Sequence, residues 1–186
     1  MTNRLFIAAE IDPALKQAIH TIQQYLKKSD SDVKWVHSEN IHITLKFLGD
    51  VDETRTQRII TDLKKTLSAL KPFEVQVGKV GGFPDLARPR VLWIGLEDNQ
   101  NLLEKLAEEV EKTLEPLGFE KEGKKFSAHL TIGRVRSNAN LLKLKELLKA
   151  VLVPEDLRQS IQRISLFKST LTSAGPIYEP LLTQTL

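Results

Sequence analysis

Histidine occurs only four times among the 186 residues of this chain, yet two of these histidines stand in the same short pattern. Residues 42–45 read His-Ile-Thr-Leu, and residues 129–132 read His-Leu-Thr-Ile. Polar and apolar residues that alternate in this way are typical of a strand with one buried face. Each strand should therefore present its histidine and threonine on one face and its apolar residues on the other.

His42 and His129 suit general acid and base chemistry better than a structural role or a metal site. A lone histidine on a strand is usually a core or edge residue, but that role does not explain why the pattern occurs twice. Metal ligands normally come in threes or fours with carboxylate or thiolate help, and neither motif holds a carboxylate. With Thr44 and Thr131 as hydrogen-bond donors to phosphate oxygens, the four side chains indicate metal-free chemistry on a phosphodiester.

Strands and helices must position these motifs. β-branched and aromatic residues between turn signals predict strands at 4–9, 41–48, 73–80, 90–96, 129–135, 161–169 and 176–182. Apolar residues at helical spacing predict four helices, the first beginning at about Asp12 with Pro13 in its opening position. Their buried stripes are Leu15, Ile19, Ile22 and Leu26; Ile59, Ile60, Leu63 and Leu67; Leu102, Leu103, Leu106, Val110 and Leu114; and Leu141, Leu144, Leu147 and Leu148. The other histidines, His20 and His37, are expected at the surface.

The chain resembles itself when it is shifted by 87 residues. This shift places residues 5–10 on 92–97, the first helix on the third, the first histidine motif on the second, and the second helix on the fourth. The repeat predicts an α+β fold of residues 1–186 as one bilobal domain. Each lobe would have an antiparallel sheet and two helices, related by a pseudo-twofold axis. The polar fronts of both motifs would line the cleft between the lobes.

The composition narrows the class of protein. Hydrophobic residues make up 41% and charged residues 27%, as in soluble globular proteins. No apolar run approaches the roughly 18 residues needed to cross a bilayer, and no signal peptide is expected. The absence of cysteine excludes disulfides and cysteine nucleophiles, so a cytoplasmic location without membrane attachment is expected. Net charge is only +3. Local basic clusters that can meet phosphates are Lys121, Lys124, Lys125, Arg134 and Arg136, and Arg88 with Arg90.

The chain resembles the RNA 2′,3′-cyclic phosphodiesterases, also called the 2′-5′ RNA ligase family, within the 2H phosphoesterase superfamily. The resemblance covers nearly the whole chain through RLFIAAEID, VKWVHSENIHITLKFLGDV, GGFPDLARPRVLWIGL, FSAHLTIGRVR and SLFKSTLTSAGPIYEPL. The paired His-x-Thr-x motifs are the signature of the family. The resemblance implies a monomer without metal or organic cofactor that acts on RNA with a 2′,3′-cyclic phosphate end, with tRNA fragments as possible substrates.

The resemblance also assigns roles to the four motif residues. It implies that His42 is the proton donor and His129 the proton acceptor, while Thr44 and Thr131 hold the phosphate. In the family, the cyclic phosphate opens to leave a 2′-phosphate. His42 would therefore protonate the 3′ oxygen.

Five further residues are candidates for substrate binding. Phe47 and Phe167 could stack on a base, although strand alternation places Phe47 with the core. The same alternation places Lys46 beside His42, and it turns Arg134 away from His129 unless the strand contains a bulge. Lys168, within a stretch that resembles the family near its cleft, is a candidate RNA contact.

The sequence leaves other functions open. One active site must catalyse both directions of a reaction, so 2′-5′ ligation is an alternative to hydrolysis. Small cyclic nucleotides and 2′-5′ oligonucleotides are alternative substrates. A module that binds RNA or nucleotides without catalysis is the competing class, and it would be expected to have lost one of the motifs.

Overall fold

A computed structural model describes residues 2–123, 125–173 and 175–186. Within these ranges, all strand pairs are antiparallel. The strands are β1 (Thr2–Ala9), β2 (Val33–Trp35), β3 (Ile43–Asp52), β4 (Phe73–Phe83), β5 (Val91–Glu97), β6 (His129–Val135), β7 (Arg158–Ile161), β8 (Arg163–Leu171) and β9 (Pro176–Thr185). The α-helices are α1 (Pro13–Lys27), α2 (Glu53–Leu67), α3 (Leu102–Leu114) and α4 (Leu141–Ala150). Lys124, which belongs to a predicted basic cluster, lies outside the described residues.

The first helix begins where the sequence predicts. Asp12 precedes α1 with Pro13 in the first turn, where the missing N–H of proline costs nothing. The Asp52 carboxylate caps α2 by accepting a hydrogen bond from the Arg55 N–H at 2.9 Å. Most residues of the predicted apolar stripes lie in the core, with Leu15, Ile59, Leu103 and Leu144 buried. Ile60, Leu141 and Leu147 are only partly buried, and Leu102 lies outside the core. No described helix is long and apolar enough to cross a bilayer.

The nine strands form one curled sheet in the order β7-β4-β5-β6-β3-β1-β8-β9, and β2 adds to β6. The centre of the sheet is narrow, because β3 and β6 pair only through Ile43 and Leu130. The numbers of these two residues differ by 87, so the repeat places them at equivalent positions. An antiparallel bridge between equivalent residues puts a pseudo-twofold axis through the bridge.

The sheet divides at this bridge into two lobes, as the predicted α+β bilobal fold requires. The first lobe contains β3, β1, β8 and β9, and the second contains β6, β5, β4, β7 and β2. The lobes are not the two halves of the sequence. Each half sends its third long strand, β4 or β8, to the lobe built on the other half.

Helices α1 and α3 likewise contact the lobe built on the other half of the sequence. α3 follows β5 of the second lobe but packs against β3 and α2. α1 follows β1 of the first lobe, but its Gln23 side chain donates to the Ile132 carbonyl of β6 at 2.9 Å. α4 packs against α1. One continuous core on the helix-covered face therefore runs beneath both lobes.

Candidate active site

The bridge between β3 and β6 fixes where the two histidine motifs point. Ile43 and Leu130 are both 0% exposed and face the helices. Since neighbouring side chains on a strand alternate, the residues on either side of each bridge residue face the open side of the sheet. His42, Thr44, His129 and Thr131 therefore surround the pseudo-twofold axis on one face.

Both imidazole rings are held in the same way. Nδ1 of His42 lies 2.8 Å from the Asn40 carbonyl oxygen, and Nδ1 of His129 lies 2.7 Å from the Ser127 carbonyl oxygen. A carbonyl oxygen can only accept a hydrogen bond, so Nδ1 carries the proton in each ring. Nε2 is then the atom left to exchange a proton with a substrate.

His42 lies in an aromatic cluster. Its ring centroid is 4.8 Å from that of Phe6, 5.5 Å from that of Tyr178 and 6.4 Å from that of Phe167. Burial in this cluster lowers the pKa of His42 to about 4, although the hydrogen bond with the Asn40 carbonyl acts in the opposite direction. Without a ligand, His42 is therefore neutral at pH 7.

His129 has a more open environment. Its ring meets the edge of Phe83 at 5.2 Å between centroids and 83° between planes. Phe83 in turn packs on Trp93, which the repeat places at the position equivalent to Phe6. Gly81 allows this arrangement because a Cβ atom there would overlap the Trp93 indole. The two equivalent histidines thus differ in burial more than in backbone geometry.

A bulge in β3 overturns the strand-alternation prediction for Lys46 and Phe47. Thr44 pairs with Ala8 and Lys46 with Ile7, so Leu45 has no partner opposite it. The extra residue reverses the side-chain directions that follow it. Phe47, predicted to face the core, is 65% exposed, and its ring centroid lies 6.1 Å from that of Phe6.

Lys46 is correspondingly turned to the helix-covered face and is only 3% exposed. Its ammonium donates to Glu111 Oε1 of α3 and to the Glu120 carbonyl, both at 2.7 Å. The prediction that Lys46 lies beside His42 is therefore wrong. Its charge is already neutralised on the opposite face of the sheet.

The same bulge occurs at the equivalent position of β6. Trp93 pairs with Thr131 and Leu92 with Gly133, which leaves Ile132 without a partner. The bulge that Arg134 needs in order to share the face of His129 is thus present. The positive charge of Arg134 reaches Tyr178, since Arg134 and Arg4 both oppose the rise in the pKa of Tyr178 that burial causes.

The two remaining candidates, Phe167 and Lys168, project from opposite faces of the sheet. Phe167 stacks on Phe6 with ring centroids 5.3 Å apart and joins the cluster around His42. Lys168 lies opposite Leu5, whose side chain is in the core, so the lysine is on the helix-covered side. Its ammonium lies 3.8 Å from Glu179 Oε2. Lys168 and Phe167 thus project from opposite faces of β8, and the candidate RNA contact of Lys168 stays a prediction.

Sequence reasoning missed three residues at the site, Phe6, Tyr178 and Arg4. Phe6 stands in an apolar run that predicts only a core strand, and the contact of Tyr178 with His42 joins residues far apart in the sequence. The alignment of Phe6 with Trp93 in the repeat was the one signal that could have identified an aromatic position beside each histidine. Arg4 has the charge of a phosphate ligand but lies outside every predicted basic cluster.

The other predicted features of the site can be located as well. His20 and His37 are exposed, as expected. Lys121 and Lys125 of the basic cluster lie 3.3 Å from Glu115 and 3.6 Å from Glu104. Among the described residues, no three histidine, aspartate or glutamate side chains are grouped as metal ligands would be.

Comparison with known proteins supplies a family. The family model described as LigT like Phosphoesterase matches residues 10–93 and, a second time, residues 94–178. The chain is 38% identical over 178 residues to the RNA 2′,3′-cyclic phosphodiesterase of Methanothermobacter thermautotrophicus, covering 96% of both chains. It is 39% identical over 177 residues to the protein of that name from Methanocaldococcus jannaschii, covering 95% of this chain and 96% of the relative.

Solved structures share the fold. The protein TT0787 of Thermus thermophilus superposes with a TM-score of 0.82 at 24% identity, covering 98% of this chain and 97% of that one. E. coli LigT complexed with 3′-AMP gives a TM-score of 0.73 at 20% identity, covering 100% and 99% of the two chains.

Proposed function

Because this chain belongs to the LigT-like phosphoesterase family, we propose that it hydrolyses RNA 2′,3′-cyclic phosphate ends to 2′-phosphates. Relatives that match almost its whole length carry the name RNA 2′,3′-cyclic phosphodiesterase. The observation that supports this most directly is the placement of His42 and His129 about one axis. Each ring is anchored through Nδ1 and has Nε2 left for the substrate.

The reaction needs one base and one acid on opposite sides of the phosphorus atom. Nε2 of neutral His129 takes a proton from a water molecule while the water oxygen forms a new bond to phosphorus. The bond from phosphorus to the 3′ oxygen breaks, and Nε2 of protonated His42 gives its proton to that oxygen. Each proton transfer typically contributes about 10²–10⁴-fold to the rate. The Thr44 and Thr131 hydroxyls donate hydrogen bonds to the non-bridging oxygens.

Substrate binding itself converts His42 into a proton donor. His42 is neutral before binding because burial lowers its pKa to about 4. An anionic phosphate beside the ring favours the charged imidazolium, so binding raises the pKa of His42. The proton donor therefore forms when the cyclic phosphate enters the site.

Aromatic and cationic side chains on the same face provide contacts for the rest of the nucleotide. Phe167 and the exposed Phe47 offer rings on which a base can stack. Arg134, brought to this face by the bulge, offers a guanidinium to a phosphate of the RNA strand. Lys46 is excluded from this role because its ammonium group donates to Glu111 on the opposite side of the sheet.

One assay tests substrate, metal independence and regiochemistry together. Purified protein is incubated in EDTA with an RNA that ends in a 2′,3′-cyclic phosphate, and the position of the terminal phosphate is then determined. We expect a 2′-phosphate at a rate that EDTA leaves unchanged. Activity that EDTA abolishes and zinc or manganese restores would make the histidines ligands, and a 3′-phosphate product would reverse the proposed regiochemistry.

A further inference from the structure

Two cations face each other across β2 and β6. The register pairs Lys34 directly with Arg134. Val33 and Trp35, on either side of Lys34, pack against the core on the helix-covered face. Strand alternation then places the exposed Lys34 side chain on the same face as His129 and Arg134.

β2 is held tightly against β6 at this point. A Cβ atom on Gly133 would lie 2.8 Å from Val33 Cγ1 and 3.2 Å from Trp35 Cε3, so the two strands need glycine there. β2 thereby occupies the side of β6 that β3 leaves after the single Ile43–Leu130 bridge. The position of Lys34 relative to Arg134 is therefore fixed by the strand pairing and by the Val33 and Trp35 side chains packed over Gly133.

Like charges directly opposite each other on neighbouring strands destabilise a sheet. Several other lysines of this chain have carboxylate partners, among them Lys16, Lys121, Lys125 and Lys143. Among the described residues, by contrast, no carboxylate oxygen lies within 4.0 Å of Lys34 or Arg134. A cation pair held without an internal anion is complementary to an anion from outside.

We propose that Lys34, paired with Arg134, binds the internal phosphodiester that adjoins the terminal cyclic phosphate. Thr131 and Arg134 pair with Trp93 and Val91, which are two residues apart on β5, so they are separated by about 7 Å at the usual rise of a strand. A phosphate held at Thr131 and one held at Lys34, which lies one strand farther out, are therefore two different phosphates of the RNA. This inference rests on the proposed function, and it makes an RNA strand, not a mononucleotide, the preferred substrate.

The test compares two substrates and two lysine variants. A short RNA with a 2′,3′-cyclic phosphate end has internal phosphates, whereas a nucleoside 2′,3′-cyclic monophosphate has none. Lys34→Gln should raise KM for the short RNA about two- to fivefold, as expected for an exposed charge contact, and leave KM for the mononucleotide unchanged. Lys105→Gln is the matched control, since Lys105 is exposed on α3, and it should change neither KM.

Two further readouts separate phosphate binding from a structural role. Lys34→Gln should reduce the salt dependence of RNA binding by about 0.7 in the slope of log K against log salt, the value for one phosphate contact on a single strand. It should also raise Tm, because it removes the repulsion between Lys34 and Arg134. Equal effects on both substrates, an unchanged salt slope or a lower Tm would overturn the inference. A wild-type protein that cleaves neither substrate would instead refute the proposed function.

Discussion

The two histidines share one backbone arrangement, and each performs one of the two proton transfers of the proposed reaction. We expect His42→Ala and His129→Ala each to lower kcat/KM by about 10²–10⁴-fold, because each removes one of the two proton transfers. The double variant should be little worse than either single variant, since the pair acts as a unit.

Replacement of the threonines provides the comparison. Thr44→Ala and Thr131→Ala should cost less, because each removes a hydrogen bond to phosphate but leaves both proton transfers in place. Steady-state kinetics on an RNA with a cyclic phosphate end measures all five variants. Near-normal turnover by either histidine variant would contradict the mechanism.

The pKa of His42 should depend on the ligand. Burial lowers this pKa to about 4, so the free protein should hold neutral His42 from neutral pH down to about pH 4 and protonate it only below. A bound nucleoside 2′-phosphate should move the titration to higher pH, because its negative charge stabilises the imidazolium. NMR titration of the histidine ring with and without this product measures both values. An unchanged pKa in the complex would rule out His42 as the proton donor.

The kinetic pH profile follows from the same shift. The histidine pair is inactive when both rings are protonated, and in the free enzyme this state forms only when His42 takes up a proton. Because kcat/KM reports the free enzyme, its acid limb should lie near pH 4, well below the ordinary imidazole value of about 6.5. Composition and motif spacing give no indication that the pKa of His42 is lowered. The aromatic cluster that causes it joins Phe6, Phe167 and Tyr178 from three strands.

At the scale of strands, simple alternation predicts the side-chain directions from the histidine to the threonine of each motif, but not beyond the threonine. Alternation from His42 correctly pairs Thr44 with it, and alternation from His129 correctly pairs Thr131. The bulges at Leu45 and Ile132 then shift the register by one residue. No residue pattern marks the bulge in β3, so strand alternation predicts the wrong faces for Lys46 and Phe47.

Short strands were the other omission. β2 and β7 have only three and four residues, too few for an alternating pattern to stand out. β2 is nevertheless the element that carries Lys34. The sequence predicts the long strands within a few residues and the existence of all four helices, because their apolar periodicity extends over several turns or strand repeats.

The ion pair behind the β3 bulge should matter for stability. Lys46 is almost fully buried and Glu111 mostly so, and Glu111 also accepts from the Glu122 N–H. We expect Glu111→Ala to lower the free energy of unfolding by about 3 kcal/mol, because it leaves a buried ammonium without its counter-charge. Urea denaturation measures this change.

Glu109→Ala is the matched control, because Glu109 lies on the same helix and pairs with the exposed Lys112 at 2.7 Å. This variant should change stability little. Equal losses for both variants would show that the buried pair has no special role in holding β3 against α3.

At the scale of the whole molecule, the exchange of strands and helices between lobes makes the two halves interdependent. We expect fragments 1–87 and 88–186 each to lack a cooperative unfolding transition, because each half leaves the apolar faces of its helices and strands without their partners. Mixing the fragments should restore both the transition and the activity. Circular dichroism melts and a kinetic assay measure these outcomes.

The cut between residues 87 and 88 falls in the exposed segment between β4 and β5. Intact protein cut there after folding is therefore the control and should remain active. A cooperative transition in either isolated fragment would contradict the interdependence of the lobes. The sequence repeat predicts two lobes, but it does not show which half supplies each strand, because crossing and non-crossing connections give the same repeat.

The Ile43–Leu130 bridge also has a mechanical consequence. Hinged enzymes assemble their catalytic groups by swinging two domains together around a flexible joint. Here β3 and β6 are joined directly beneath the histidines, and a common core lies under both lobes. We therefore expect the spacing of the two imidazoles to be the same before and after substrate binds, with no closure of one lobe on the other.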